Sequence, residues 1–322
     1  MKKVCLVKNW DYKLDLFRQT PGSQGLWNGY EFSFDTNEKF DYLIVFNRTR
    51  KNIQISVPPE NIWAVIQEPP NEVFKPLHRG QKEFRRVYCQ DTNLNSKKYF
   101  MAPPALPWFV NKTYDQLRNT EIPEKIKNVS CISSKNIWFS GHRRRLEIIQ
   151  ELQKQMDFDL FGWGFKSISD KWDALAPYKY SIVLENHQGP YYWSEKLADC
   201  LLSFTLPIYV GCTNIYEYFP EGSILSLDVN SPHLIDEIKS AVESDLWSNK
   251  LSLILEARKL ILEKYQFFPF IVNEMKKHEE LISIPSSISM KEKVKISSRS
   301  LASIEMLTRS KISTLKNNLV RY

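Results

Sequence analysis

A short stretch of the chain places acidic and basic side chains around one predicted strand-to-helix turn. An apolar run predicts a buried strand that brings Glu185 and Asn186 to its carboxyl end. Ser194 is a preferred N-cap residue, so Glu195 and Lys196 should fall in the first turn of the following helix. A helix N-terminus can receive a phosphate through its N–H groups, and a lysine there adds a full positive charge. The chemistry predicted from this spacing is phosphate binding.

Glu195 has two interpretations at this point. Its carboxylate could accept hydroxyl groups of a ribose or another sugar. It could equally be an ordinary first-turn acid, which stabilises a helix by about 0.3–1 kcal/mol through the helix dipole. The spacing alone does not choose between them.

The same stretch resembles the donor-binding signature of glycosyltransferase family 10, the α1,3/4-fucosyltransferases. That signature runs approximately Y-K-F, F-E-N, D-Y-I-T-E-K-L, P-V-Y-x-G and N-I-x-x-Y/F-P. The matching residues, in the same order, are Tyr178-Lys179-Tyr180, Leu184-Glu185-Asn186, Tyr191 to Leu197, Pro207 to Gly211 and Asn214-Ile215. The chain resembles a bacterial member of this family.

The resemblance implies roles for five residues of the stretch. Glu195 would hold hydroxyl groups of the donor, and Lys196 would meet its diphosphate. Asn186 and Tyr192 would line the donor pocket. Lys179 matches the lysine of Y-K-F, and it is either a donor-binding residue or the polar start of its strand.

Two further residues follow from the family pattern. The family has an arginine on the first helix of its nucleotide domain, seven residues before a leucine, and here Arg145 precedes Leu152 at that spacing. A guanidinium group suits a phosphate because its planar fork donates two parallel hydrogen bonds. The family also places a catalytic glutamate at the end of a strand in the N-terminal lobe. Glu68 matches it, with Glu72 as the second choice for the general base.

The implied reaction is the transfer of fucose from GDP-fucose to a glycan hydroxyl with inversion, in lipopolysaccharide or other surface polysaccharide synthesis. No cofactor is expected, and no metal is needed if Lys196 and Arg145 supply the counter-charge. Tyr191, Trp193 and His187 depart from the family pattern where the donor sugar would lie, so another GDP-linked sugar is an alternative. The expected partners are the nucleotide-sugar donor and the glycan acceptor, with no nucleic acid.

The elements around these motifs predict an α/β protein with a GT-B fold, two Rossmann-like domains facing across a cleft. Short Val-, Ile- and Tyr-rich runs in the first hundred residues read as buried strands, and later strands alternate with amphipathic helices. We expect an acceptor-binding domain at 1–110, a linker at 111–127, a GDP-sugar-binding domain at 128–275 and a basic amphipathic tail at 276–322.

The formal net charge of +7 is concentrated near the C-terminus, where residues 286–322 carry eight Lys and Arg against two Glu. Apolar residues near helical spacing in this tail allow two interpretations. One is a basic helix on an anionic membrane surface, and the other is an ordinary helix that docks back on the body or frays. A non-catalytic membrane- or nucleic-acid-binding protein is the alternative of another class.

The cysteines and the lack of a long apolar run indicate where in the cell the protein works. The five cysteines form no CxxC pair, which is typical of a reducing compartment, and no apolar run reaches membrane-spanning length. We therefore expect a cytoplasmic protein, with the inner face of the membrane as a second possibility. Asp157-Phe158-Asp159 matches a metal-binding DxD motif in letters, but it lies where a strand begins rather than where one ends. We interpret it as coincidence.

Overall fold

The computed structural model describes residues 1–10, 14–282 and 292–319. It divides the chain into two compact units. Unit 1 contains Met1–Ala105, Thr113–Asp115 and Tyr265–Leu319, and unit 2 contains Leu106–Lys112 and Gln116–Lys264.

Strands predominate up to residue 119, and helices and strands are mixed after it. Up to residue 119 they are β1 (Lys2–Val7), β2 (Leu26–Trp27), β3 (Tyr30–Ser33), β4 (Tyr42–Phe46), β5 (Ile53–Val57), β6 (Ile62–Val65), β7 (Arg86–Cys89), β8 (Tyr99–Met101) and α1 (Tyr114–Asn119). From residue 127 they are β9 (Lys127–Ile132), α2 (Ser140–Gln155), β10 (Asp159–Phe161), β11 (Tyr178–Gly189), α3 (Glu195–Leu202), β12 (Leu206–Cys212), β13 (Leu225–Ser226), α4 (Leu234–Glu243), α5 (Leu246–Leu260), α6 (Phe267–Ile282), β14 (Glu292–Ile296) and α7 (Leu301–Leu319).

Unit 1 is built on a seven-stranded sheet in the order β2-β3-β1-β4-β6-β7-β8. All of its neighbouring strands run parallel except β2, which pairs antiparallel with β3. The central strand β4 is buried at every position, as expected for a parallel strand covered on both faces.

Helix α6 belongs to unit 1, although the sequence suggested that residues up to 275 lie in the second domain. Phe267 and Phe268 contact Phe32 of β3, and Phe270 contacts Tyr88 of β7. Burying these aromatic rings favours attachment of α6 to the first sheet. The predicted linker is likewise divided, since residues 116–127 belong to unit 2.

The tail returns to unit 1 after α6. Strand β14 pairs antiparallel with β5 in a separate two-stranded sheet. Helix α7 buries Ala302, Ser303 and Met306, and Glu305 forms an ion pair with Arg79. The structure agrees with the second interpretation of the tail, a helix that docks back on the body of the protein. Another face of α7 exposes apolar side chains, among them Leu301, which is 88% exposed. Within the described residues no helix is long and apolar enough to cross a membrane.

Unit 2 is built on a five-stranded sheet in the order β10-β9-β11-β12-β13, with every pair parallel. Helix α2 buries Ile148, Ile149 and Leu152, and α3 buries most of its length. Two α/β units built on mainly parallel sheets are present, which confirms the predicted α/β class with two Rossmann-like domains.

Candidate functional site

The topology of unit 2 marks one place on its sheet for a ligand. From β9 the chain passes through α2 to β10 on one side, and from β11 it passes through α3 to β12 on the other. β9 and β11 are neighbours, so their connections diverge at their carboxyl ends. In open α/β sheets such a switch point forms a crevice in which ligands bind.

Strand β11 delivers a buried carboxylate to this crevice. The side chain of Glu185 has no exposed surface and accepts three hydrogen bonds. Its Oε1 accepts from the Ser194 amide at 2.7 Å, and its Oε2 accepts from Ser194 Oγ at 2.7 Å and Lys196 Nζ at 3.0 Å. Sequence analysis gave Glu185 no role. One feature of the sequence could have indicated a role for Glu185, namely a charged residue at the end of a buried run. Such a charge needs a partner, because burying an unpaired charge is costly.

Lys196 and Glu195 lie together at the start of α3, as predicted. Lys196 Nζ is 3.8 Å from Glu195 Oε1, and the two side chains are 21% and 18% exposed. Burial works to lower the pKa of Lys196, but the carboxylates of Glu185 and Glu195 outweigh it, so that pKa is raised. Burial works to raise the pKa of Glu195, but the ammonium groups of Lys196 and Lys171 outweigh it and hold that pKa below its usual range. Both residues are therefore charged at neutral pH.

The expected use of the free N–H groups of α3 needs correction. Ser194 Oγ accepts from the Lys196 amide at 3.3 Å, and the Ser194 amide donates to Glu185. The cap that the sequence predicts is thus present and satisfies the Lys196 amide, and Glu185 satisfies the Ser194 amide, so a phosphate would not meet these two donors.

Lys171 and Asp199 extend the charged cluster, and sequence analysis missed both. Lys171 Nζ is 2.8 Å from Asp199 Oδ2 and 3.8 Å from Glu195 Oε1. Asp199, on α3, is buried, and its Oδ1 accepts from the amides of Phe109 and Val110. Burial raises the pKa of Asp199, with the ammonium group of Lys171 opposing that shift. No sequence pattern links residues so far apart along the chain.

Arg145 lies on α2 and is buried. Its Nη2 donates to Ser134 Oγ at 3.1 Å, while its Nε has no hydrogen-bond acceptor within the described residues. Burial lowers the pKa of Arg145, and the carboxylates of Glu185 and Glu195 oppose that shift. Helix α2 also begins without a side-chain cap, since the N-cap residue is Phe139. The guanidinium group and the start of α2 thus lie on the same side of the crevice.

Asn186 and Tyr192, which the family pattern assigns to one pocket, are in contact, and His142 joins them. Tyr192 Oη donates to Asn186 Oδ1 at 3.4 Å, and Asn186 Nδ2 lies 3.3 Å from His142 Nε2. Burial, with Arg145 and Lys196 nearby, lowers the pKa of His142 to about 4, so the ring is neutral at pH 7. The start of α2 can approach this closely because Gly141 has no side chain. A Cβ there would lie 1.9 Å from the Asn186 carbonyl oxygen.

Lys179 does not reach this cluster. It lies near the amino end of β11, and its Nζ is 3.2 Å from Asp245 Oδ1. Seven residues of extended strand separate it from Asn186, a distance of about 23 Å. The structure therefore agrees with Lys179 as the polar start of its strand and not as a donor-binding residue. Asp159 also lies at the amino end of its strand, and it binds Lys127 Nζ at 3.0 Å and the Tyr178 hydroxyl at 2.5 Å.

Glu68 lies in unit 1, in the loop after β6. Hydrogen bonds fix its backbone on both sides. The Gln67 amide donates to Asn47 Oδ1 at 2.7 Å, and the ring of the buried His78 donates from Nε2 to the Glu68 carbonyl at 3.0 Å. His78 Nδ1 accepts from the Gln90 amide, which fixes this tautomer. The loop therefore holds Glu68 in a defined position at the carboxyl edge of its sheet.

Comparison with known proteins agrees with the motif analysis of unit 2. Residues 122–244 match the family model described as glycosyltransferase family 10 (fucosyltransferase), C-terminal part. The recognition from sequence is thereby confirmed for this segment. Over 75 residues the chain is 33% identical to the α-(1,3)-fucosyltransferase FucT of Helicobacter pylori. That match spans 23% of this chain and 16% of the relative.

Solved structures with a similar chain trace include glycosyltransferases of several kinds. An α1,3-fucosyltransferase is similar over 90% of this chain and 92% of its own, at 16% identity and a TM-score of 0.49. A complex of an α1,3-fucosyltransferase with GDP-fucose is similar over 83% and 92%, at 16% identity and a TM-score of 0.45. WaaG, a glycosyltransferase involved in lipopolysaccharide biosynthesis, is similar over 88% and 100%, at 11% identity and a TM-score of 0.46.

Proposed function

We propose that this protein transfers fucose from GDP-fucose to a hydroxyl group of a glycan, with inversion at the anomeric carbon. The observation that carries the proposal is the pair of cations at the switch point of unit 2. Lys196 and Arg145 approach one crevice from two helices, and both interact with Glu185 and Glu195 in a segment that matches a fucosyltransferase family. Cations arranged in this way suit the diphosphate of a nucleotide sugar.

Each residue has a defined part in the proposed binding mode. Arg145 Nε and the uncapped start of α2 would donate to the diphosphate on one side, and Lys196 on the other. Glu195 is held ionised, so it would accept hydrogen bonds from hydroxyl groups of the donor. Asn186 would be fixed by Tyr192 and by the neutral ring of His142, which adds no positive charge of its own.

In the proposed reaction the acceptor hydroxyl attacks the anomeric carbon from the face opposite GDP. A general base takes the proton of that hydroxyl as the new glycosidic bond forms and the bond to GDP breaks. Glu68 is the base that we propose, on the strength of its fixed loop and the family pattern. The diphosphate gains negative charge as it leaves, and Arg145 and Lys196 would stabilise that charge.

Because these residues supply positive charge, we propose that transfer needs no divalent metal. Turnover measured in excess EDTA tests this directly. Equal rates with and without EDTA are expected, and a rate restored only by added Mg²⁺ or Mn²⁺ would contradict the proposal.

Nucleotide binding tests the donor site. GDP at 100 times its dissociation constant should stabilise the protein by about 2.7 kcal/mol, seen as a higher melting temperature. Lys196→Met should lose most of this gain. Lys179→Met is the matched control, because Lys179 lies at the other end of β11 and pairs with Asp245. Lack of stabilisation by GDP in the wild-type protein, or equal loss in both variants, would contradict the proposed site.

Product analysis tests the donor sugar and the acceptor. GDP-fucose, GDP-mannose and UDP-sugars are offered in turn with a panel of glycans, including lipopolysaccharide fragments. Transfer from GDP-fucose alone supports the proposal, whereas transfer from GDP-mannose alone would support the alternative donor.

A further inference from the structure

A tryptophan beside the crevice is exposed to an unusual degree. The residue surface of Trp163 is 70% exposed, although tryptophan is normally among the more buried side chains. Trp163 follows β10 and therefore lies on the carboxyl edge of the unit 2 sheet, the same edge as the proposed donor site. Its exposure needs an explanation because the loop that carries it is tightly held.

Backbone hydrogen bonds hold this loop against the loop that follows β9. The Ser133 amide donates to the Phe161 carbonyl at 2.8 Å, and the Lys135 amide donates to the Trp163 carbonyl at 3.1 Å. Gly162 has a φ of +113° and packs so closely that a Cβ would lie 1.9 Å from the Ser133 carbonyl oxygen. The backbone of Trp163 is thus fixed in a conformation that presents its side chain to solvent.

The same contacts connect Trp163 to Arg145, the arginine proposed to bind the diphosphate. Lys135 binds the Trp163 carbonyl, and its chain neighbour Ser134 accepts from Arg145 Nη2 at 3.1 Å. The Trp163 carbonyl and the Arg145 guanidinium group therefore contact neighbouring residues of the loop after β9, whose Cα atoms are about 3.8 Å apart. A nucleotide joins the two kinds of group that Trp163 and Arg145 would bind, because its ribose links its base to its phosphates.

The surroundings of Trp163 suit a guanine ring. Lys135 Nζ lies 5.2 Å from the centre of the Phe165 ring, and Lys166 Nζ lies 5.2 Å from the centre of the Phe161 ring. Two ammonium groups thus lie beside aromatic rings of the loop that presents the indole, Lys166 in that loop and Lys135 in the adjoining one. Guanine offers a flat face for stacking and two acceptors, N7 and O6, that lysine recognises. Ser133 Oγ, in the adjoining loop, is buried with no hydrogen-bond partner within the described part of the chain.

We infer that Trp163 is the stacking platform for the guanine base of the donor, with Lys135 and Lys166 as donors to its O6 and N7 edge. This inference rests on the proposed GDP-sugar site. It adds to it a base-binding element that the motif analysis did not contain.

Calorimetric titration of the full chain with GDP and with inorganic pyrophosphate tests the inference. Stacking on an aromatic side chain typically contributes enough that Trp163→Ala should raise the dissociation constant of GDP about 5- to 150-fold. Pyrophosphate has no base, so its dissociation constant should stay within twofold. Trp163→Phe keeps an aromatic face and should recover most of the GDP affinity.

The matched control is Ile126→Ala. Ile126 is 69% exposed in the same unit but precedes β9, at the opposite edge of the sheet, so GDP affinity should be unchanged. The inference is overturned if Trp163→Ala binds GDP within twofold of the wild type, or if pyrophosphate affinity falls as much as GDP affinity. In the first case GDP binding that still depends on Lys196 would leave the proposed function standing. A wild-type protein that does not bind GDP would overturn both.

Discussion

Replacing Glu185 with Gln would remove the negative charge on which the arrangement of Lys196 depends. The wild-type carboxylate is fully buried and accepts from the Ser194 amide, from Ser194 Oγ and from Lys196 Nζ. A glutamine of the same size keeps an oxygen for the Ser194 amide. It leaves the largely buried ammonium group of Lys196 with the Ser194 hydroxyl at 3.1 Å and with the carboxylate of Glu195 at 3.8 Å.

The expected cost follows from this geometry. Removing one partner of a buried ion pair typically costs about 3–5 kcal/mol, because the other charge stays buried and uncompensated. Glu195 offsets part of that loss, so we expect the lower end, about 3 kcal/mol. A unit of this size loses about 2–4 °C of melting temperature per kcal/mol, which predicts a fall of about 6–12 °C.

Urea denaturation and GDP titration of three variants measure the effect. Glu185→Gln should unfold at lower urea and bind GDP more weakly, because its ammonium group is no longer held in place. The double variant Glu185→Gln/Lys196→Met removes both charges and should regain about 2 kcal/mol of stability without regaining GDP affinity. Lys196→Met alone leaves Glu185 uncompensated and should also be destabilised. A free energy of unfolding for Glu185→Gln within about 0.5 kcal/mol of the wild type would refute this reasoning.

Three other substitutions test separate parts of the structure. Glu68→Gln should lower the rate of transfer by a factor of about 10² to 10⁴ while leaving the dissociation constant of GDP unchanged. Unimpaired turnover would remove Glu68 as the base and direct attention to Glu72. His142 has a folded-state pKa of about 4, below its usual value of about 6.5, so its contribution to stability is complete above about pH 6.5 and is lost as the pH falls towards 4. In His142→Gln, melting temperatures measured from pH 7 to pH 4.5 should therefore fall less steeply than in the wild type, and an equal slope would contradict the neutral ring. Gly141→Ala should cost about 1–3 kcal/mol in urea denaturation and weaken GDP binding, because the added methyl group meets the Asn186 carbonyl. Unchanged stability would show that α2 moves away freely.

The local parts of the site could be predicted from the sequence. Ser194 caps α3 through its side chain, and Glu195 and Lys196 stand in the first turn, as residue preferences at helix starts require. The buried part of β11 ends at Glu185, next to Asn186, where the apolar run ends. Such features depend on contacts within a few residues, which a pattern in one sequence can report.

Contacts between distant residues could not be predicted in this way. Lys171 reaches Asp199, His142 reaches Asn186, and Arg145 reaches Ser134 only because the sheet brings their loops to one edge. Lys179 shows the converse. Its motif is continuous in sequence with the site residues, but the extended strand carries it to the other end of the sheet.

The tail shows why domain boundaries were harder to assign than elements. The run Phe267, Phe268 and Phe270 predicts a buried helix wherever it packs, and nothing in its spacing distinguishes one sheet from the other. The contacts with Phe32 and Tyr88 decide for unit 1. The ladder between β14 and β5 then gives the following segment a partner in the same unit.

The charge balance of the crevice explains how it can be stable when empty and still attract a diphosphate. Three cations and three carboxylates make the cluster formally neutral: Arg145, Lys171, Lys196, Glu185, Glu195 and Asp199. The charges are not evenly placed, however. The carboxylates of Glu185 and Asp199 are 0% and 1% exposed, whereas the ammonium groups belong to side chains that are more than 20% exposed. The side chains of Lys171 and Lys196 therefore lie nearer the surface, as does Glu195, whereas the carboxylates of Glu185 and Asp199 are buried behind them. An anion that meets these two lysines first is attracted by them more strongly than it is repelled by the two buried carboxylates, because the Coulomb energy falls with distance. Arg145 strengthens this attraction, since its guanidinium group has no carboxylate within ion-pair distance in the described residues. A neutral cluster in which two lysines lie nearer the surface than two of the carboxylates thus avoids the mutual repulsion of three unpaired cations and keeps its affinity for an anion.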